Sequence, residues 1–230
     1  NYHPETPSTA ALAIEPLLTD NDLEFIEIAN PTGSAIDLTD WRIRGEADYD
    51  FVAGTMLPAG EAIVVVSFSP AVDTTKLAAF KEHYGITAGV SIVGGLSGSL
   101  SNSSGRIALQ QPDTPDLLVT PRVVVDEVVY DDLAPWPAAD GSGQSLARND
   151  LAANGNLSTS WISALPTPGA FETPFLLGDV NQDGVVNFQD ISPFISILSA
   201  GAYLDEADIN GDGEVDFSDI SPFINLLSAQ

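Results

Sequence analysis

The chain has 230 residues, 33 of them Asp or Glu and only 7 Lys or Arg, for a formal charge of −26. Such a surface repels phosphate backbones and anionic lipid, which argues against nucleic-acid and membrane-surface binding and favours cations and basic partners. It has no Cys, so there is neither a disulfide framework nor a thiolate site, and no apolar run approaches the ~20 residues that a membrane span needs. With 44% hydrophobic residues and 10 Phe, 5 Tyr and 3 Trp, it can bury a core, which an acidic tail cannot. The length suits one β-rich domain plus a small module. An opening at Asn1 rather than Met implies a cut or trimmed chain.

The N-terminal part reads as short strands. Leu23–Ala29 alternates apolar and acidic residues with period two, and Ile36–Ile43 repeats this after the turn residues Asn30-Pro31-Thr32-Gly33. Ala62–Phe68 is a β-branched run of the kind buried on both faces. The spacing predicts a helix over Thr75–Tyr84, with Leu77, Phe80 and Tyr84 on one stripe. Gly94–Ser99 is Gly-rich but lacks the Lys and the following helix of a phosphate loop, and reads as a turn between strands. Gly105–Gln110 and Val123–Tyr130 are further strands bounded by Gly, Pro and Asp. Many short strands with a single surface helix imply an all-β sandwich over residues 1–170.

Composition then shifts. Pro166-Thr167-Pro168-Gly169 and Thr173-Pro174 mark a linker, placed at 171–177. Residues 171–230 hold 11 acidic residues and no Lys or Arg. Within them, 178–200 and 207–229 are a tandem repeat with an offset of 29 and 15 of 23 positions identical.

Each repeat opens on oxygen-bearing residues at the spacing of an EF-hand-type loop. The first set is Asp179, Asn181, Asp183, Val185, Asn187 and Asp190; the second is Asp208, Asn210, Asp212, Glu214, Asp216 and Asp219. These are loop positions 1, 3, 5, 7, 9 and 12, with Gly184 and Gly213 at position 6, where the chain turns sharply. Position 7 offers only its carbonyl, so Val185 is no obstacle there. A hard cation takes six to eight oxygens, so two Ca²⁺ ions are expected. The competing reading, an Asx- and Gly-rich turn that merely caps a helix, does not account for two matches at a fixed offset. One short helix follows each loop, starting near Asp190 and Asp219, with Ile191, Phe194, Ile195 and Leu198 and then Ile220, Phe223, Ile224 and Leu227 on the apolar stripe. Pro193 and Pro222 are tolerable only in a first turn. No good helix precedes the first loop, since Phe175-Leu176-Leu177-Gly178 is short and follows a Pro.

The segments GDVNQDG and ADINGDG, the Asp at both twelfth positions and the duplicated helix resemble the type I dockerin module, over about residues 178–229. The resemblance implies a small all-α, secreted, Ca²⁺-dependent module spanning 178–230 that binds a cohesin-like domain. Where dockerins often carry Ser/Thr pairs at loop positions 10 and 11, this chain has Phe188-Gln189 and Phe217-Ser218.

Residues 1–170 resemble a bacterial lamin-tail domain, an Ig-like sandwich. The resemblance is carried by Glu24–Asn30, Ile36–Trp41, Leu57–Glu61, Leu100–Gly105, Val125–Tyr130, Gly143–Arg148 and Trp161 with Thr167-Pro168-Gly169. It implies a binding or structural module with no catalytic residues. It also implies that Asn1 falls at the end of a first strand, so that the sheet is completed by upstream sequence in cis or by another chain in trans.

Catalytic chemistry finds little support. The two histidines read as a solvated helix residue, His83, and a structural turn residue, His3. The acid pairs Asp126-Glu127 and Asp131-Asp132 read as rim charges, because neighbours on a strand point to opposite faces. Trp41 and Trp161 read as core, while Trp136, between two prolines, is the candidate for stacking on a sugar. Asn102 and Asn156 match a glycosylation pattern. The expectation is a secreted, non-catalytic adhesion or scaffold segment at an extracellular or cell-surface location, attached to a cohesin-like domain or a neighbouring copy. The alternatives are accessory modules of a larger extracellular enzyme and a self-assembling filament subunit. In the small module, Phe188, Phe194, Phe217 and Phe223 either fill its core or form a docking patch.

Overall fold

The computed structural model describes all residues except 88, 115–119, 150, 152, 170–176, 182–185 and 229–230. The chain forms two compact units, one of Asn1–Asn30 with Ala35–Phe171 and one that includes Glu172–Gln230.

In the first unit the strands are β1 (Phe25–Ala29), β2 (Ile36–Asp37), β3 (Arg42–Gly45), β4 (Ala47–Asp50), β5 (Met56–Leu57), β6 (Ala62–Val66), β7 (Ser91–Gly94), β8 (Ser97–Gly98), β9 (Ser104–Pro112), β10 (Arg122–Asp131), β11 (Ser145–Arg148) and β12 (Trp161–Ala164). Two helices join them, α1 (Thr9–Ile14) and α2 (Thr74–Tyr84). The larger sheets run β1-β6-β7 and β10-β9-β3-β4-β8; β11-β12 and β2-β5 are two-stranded.

β6 explains the layering. All five of its residues are buried. Ile63 and Val65 join Leu38, Ile43, Phe51 and Leu57 in the core shared with Ile107 and Leu109 of the larger sheet. Val64 and Val66 face the other way, to Leu23, Phe25, Ala79 and Phe80. The expected sandwich is therefore sheet-rich but has a helical layer over one outer face. α2 supplies Phe80 to that layer, with Leu77 and Tyr84 beside it.

Three sequence expectations change in detail. Ile36–Ile43 is not one strand: β2 pairs with β5, and β3 joins the larger sheet. Between them Asp37 accepts the Thr39 N–H at 2.9 Å and Asp40 adopts φ 62°, so local side-chain bonding turns the chain from one sheet to the other. The second helix, α1, lacks an apolar stripe long enough to read; Ser8 caps it by accepting the Ala11 N–H. The Gly94–Ser99 segment is not only a turn, since Ser97 and Gly98 pair with β4. Gly98 has φ 99°, and a Cβ there would lie 2.4 Å from the Glu46 carbonyl, so only glycine fits.

The second unit contains α3 (Ile191–Ala200) and α4 (Ile220–Ser228). Both start one residue after the twelfth loop position, with Pro193 and Pro222 inside the first turn. Gly201 in the left-handed region ends α3. The core draws on equivalent residues of the two repeats: Val180 and Ile209, Phe194 and Phe223. The Gly178 N–H donates to the Glu206 carbonyl at 2.8 Å, tying one repeat to the other. Phe175 and Leu176, part of the segment expected to be non-helical, lie outside the described residues.

Candidate functional site

The loops are built by their own acidic side chains. In the second, Asp208 is buried, and its Oδ1 accepts the N–H groups of Gly211 at 2.9 Å and Asp212 at 3.1 Å. Its Oδ2 accepts the Gly213 N–H at 2.8 Å and the Tyr203 hydroxyl at 3.3 Å. Alternate residues then turn the backbone: Asn210 accepts from the Asp212 N–H, Asp212 from Glu214, and Asp216 from Ser218, at 2.8, 3.0 and 2.7 Å. The Ser218 hydroxyl and amide hold the Asp216 carboxyl below its usual range.

Asp219 closes the loop. It is fully buried; Oδ1 accepts the Asn210 N–H at 3.0 Å and Oδ2 the Asp216 N–H at 2.9 Å. Asp190 does the same in the first loop, accepting from Asn181 at 3.0 Å and Asn187 at 2.8 Å, and is also fully buried. Asn187 accepts the Gln189 N–H at 2.7 Å, and Asp179 is buried like Asp208. Asp183 and Val185 lie outside the described residues.

This donor set fits a hard cation in its chemistry. Asp179, Asp190, Asp208 and Asp219 are buried carboxylates in a segment that contains no Lys or Arg to balance them. Each oxygen that accepts one amide keeps a second lone pair for another partner. Among the described residues, no group of three or more His, Cys, Asp or Glu is drawn together closely enough to hold a metal.

The four phenylalanines divide into two pairs. Phe194 and Phe223 are buried and stacked, while Phe188 and Phe217 are 77% and 81% exposed. The sequence leaves all four open between core and docking patch, although Phe194 and Phe223 lie on the helical apolar stripe. Loop position 10 has no partner in that pattern, and the only signal for its exposure was its place outside the helical stripe.

Among its described residues, the first unit's two histidines and its acid pairs do not come together as a catalytic set. His3 is paired with Asp140. His83 is not simply solvated: it is half-buried, accepts the Ser8 N–H at 3.1 Å, and burial lowers its pKa. The reason is that the segment capping α1 lies over α2. Asp126 pairs with Arg148 and Glu127 with Arg106. Trp41 borders the inter-sheet core. Trp161 carries the Arg148 guanidinium over its ring at 4.9 Å and donates to the Gly155 carbonyl at 2.8 Å. Trp136 packs beside Tyr2 and Tyr130 and borders an open cleft with Glu46, Arg106 and Asp131.

The sequence model of the lamin tail domain matches residues 3–132, more than half of the chain. The chain belongs to the lamin tail domain family. The model of the dockerin type I domain matches residues 177–228 and encloses both loops and both helices of the second unit. No curated protein matches the chain. The lamin tail match ends after β10, although β11 and β12 belong to the same compact unit. Lamin tail and dockerin domains are non-catalytic modules, and a type I dockerin binds Ca²⁺ and attaches proteins through cohesin domains. No described helix of either unit is long and apolar enough to cross a membrane.

Proposed function

We propose that the chain is a secreted, non-catalytic attachment segment. Its lamin tail domain, residues 1–170, is displayed through a dockerin module, residues 178–230, with 171–177 as linker. The module holds two Ca²⁺ ions, one through Asp179, Asn181, Asp183, Asn187, Asp190 and the Val185 carbonyl. The other is held through Asp208, Asn210, Asp212, Asp216, Asp219 and the Glu214 carbonyl. The observation that carries this is the duplicated closure: Asp190 and Asp219, both fully buried, accept the same two loop amides in a segment without Lys or Arg.

Bound calcium supplies the positive charge that those carboxylates otherwise lack. The chain's own residues do the rest. Asp208 and Asp219 fix the course of the loop through their amide bonds, and Asp190 and Asp219 anchor the loops to the starts of α3 and α4. The module then presents Phe188 and Phe217 to a cohesin-like partner. An apolar partner surface rimmed by Lys and Arg suits them, because the module has 10 acidic residues and no basic one.

Titration calorimetry on the full chain tests the reading. Two ions per chain are expected, with the second unit melting at higher temperature in Ca²⁺ than in chelator. No heat of binding and an unchanged melt would overturn it.

A further inference from the structure

Each unit carries one Asn followed by Gly, Asn154-Gly155 in the first and Asn210-Gly211 in the second. In this dipeptide the side-chain amide is easily lost, because glycine has no Cβ to crowd the approach of its nitrogen to the asparagine side chain. Only the second lies in a calcium loop. Loop position 3 is Asn210 in the second repeat and Asn181 in the first, where Gln182 follows in place of Gly.

Both reacting groups are held in the closed loop. Asn210 and Gly211 are exposed, so exclusion of water does not protect them. The Gly211 N–H donates to Asp208 Oδ1 at 2.9 Å. Asn210 Oδ1 accepts the Asp212 N–H at 2.8 Å, and Nδ2 donates to Asp212 Oδ2 at 2.9 Å and to the Ser218 hydroxyl. The Asn210 N–H donates to Asp219 Oδ1 at 3.0 Å. Reaction needs the side chain to leave these partners and turn onto the Gly211 nitrogen. It also needs that nitrogen to lose its proton beside the Asp208 carboxylate, which disfavours a second negative charge. The bonds hang on Asp208 and Asp219, both buried, in a segment with no Lys or Arg. Without a cation, those uncompensated charges open the loop.

We propose that Asn210 is a modification site guarded by calcium, which rests on the calcium reading above. When the ion is lost, the Gly211 nitrogen gives its proton to solvent base and attacks Asn210 Cγ. The new N–C bond forms, the bond from Cγ to Nδ2 breaks, and ammonia leaves with a proton from solvent. Water then opens the cyclic imide at one carbonyl or the other, giving Asp or isoaspartate. Isoaspartate routes the main chain through the side-chain carbon, which lengthens the loop and shifts Asp212 and Asp216 out of step with Asp208. The second site is then lost for good, while the first, with Asn181-Gln182, is spared.

The full chain is kept in warm, mildly alkaline buffer with Ca²⁺ or with chelator, and peptides are mapped by mass spectrometry. A gain of about 1 Da at Asn210 is expected in chelator. Saturating Ca²⁺ should slow it by roughly tenfold or more, because only the ion-free loop reacts. Asn154 is the internal reference: its Oδ1 accepts the Asn156 N–H at 2.9 Å and Gly155 is buried in the first unit, so its rate should be the same in both buffers. After return to Ca²⁺, calorimetry should count two ions on fresh chain and fall toward one as isoaspartate at 210 accumulates. Equal rates at Asn210 in the two buffers, an intact Asn210 in chelator, or two ions bound by isoaspartate-containing chain would each overturn the proposal alone. Fresh chain that takes up no Ca²⁺ would overturn the calcium reading, and this proposal with it.

Discussion

The rings of Phe194 and Phe223 stack with centroids 4.4 Å apart and planes 22° from parallel. They occupy the same position in the two repeats, so the duplication meets itself at this contact. Val180 and Ile209 lie in the same cluster, which makes the core of the second unit a product of both repeats rather than of either alone.

Removing one ring should therefore unfold the unit. Phe194→Ala or Phe223→Ala is expected to cost about 3–5 kcal/mol, the range for a buried Phe truncated in a packed core. Thermal melts in saturating Ca²⁺ would show the second unit's transition lowered or missing and the first unit's unchanged. A shift of both transitions, or of neither, would count against the division of the core.

Asp219→Asn tests the loop closure. The carboxylate accepts an amide on each oxygen, and Asn turns an NH₂ donor toward one of those donors. A cost of about 1–3 kcal/mol is expected from the unsatisfied groups. The count of bound Ca²⁺ should fall from two to one by calorimetry. Retention of two ions would show that the second site does not depend on Asp219.

The second unit was largely legible in the sequence, and the first only in part. The loops announced themselves through alternating oxygen-bearing side chains around a Gly, and the helices through Ile191, Phe194, Ile195 and Leu198 and their counterparts Ile220, Phe223, Ile224 and Leu227 at helical spacing. In the first unit, β6 was visible as a β-branched run, but the switch between β2 and β3 was not. It depends on Asp37 bonding the Thr39 amide and on Asp40 entering the left-handed region, and neither alters the apolar alternation.

Two buried carboxyls favour the folded first unit at mildly acidic pH. Burial raises the pKa of Glu24 and Glu27, despite the amide bonds from Leu100 and Gly169. The folded state thus binds more protons than the unfolded one in the window above their ordinary value of 4.5, and stability is lost as pH rises through that window. Asp22 acts in the opposite sense. Burial raises its pKa, but the bonds to Lys76 and Thr19 outweigh this and hold it below 3.8, so its contribution is lost as pH falls through the lowered value. Glu27→Gln keeps an acceptor for the Gly169 amide and removes the buried charge. Urea melts across pH should show the variant gaining on the parent at neutral pH and losing Glu27's share of the fall in stability above pH 4.5. An unchanged slope would assign it to other groups.

Phe188 and Phe217 separate binding from folding. Both rings are exposed, so Phe188→Ser and Phe217→Ser should change the second unit's stability by no more than about 0.5 kcal/mol. Binding to a cohesin-like partner should respond quite differently, because an aromatic anchor buried at an interface commonly contributes ~2 kcal/mol or more. The repeats present the two rings equivalently, which makes the pattern of loss informative. If one ring anchors the partner, one substitution abolishes binding and the other leaves it intact. If either repeat suffices, each single variant retains most of the affinity and only the double variant loses it. Calorimetry against an immobilisable cohesin domain, with the Ca²⁺ count checked in parallel, distinguishes these outcomes. A double variant that keeps both ions and full affinity would remove Phe188 and Phe217 from the interface.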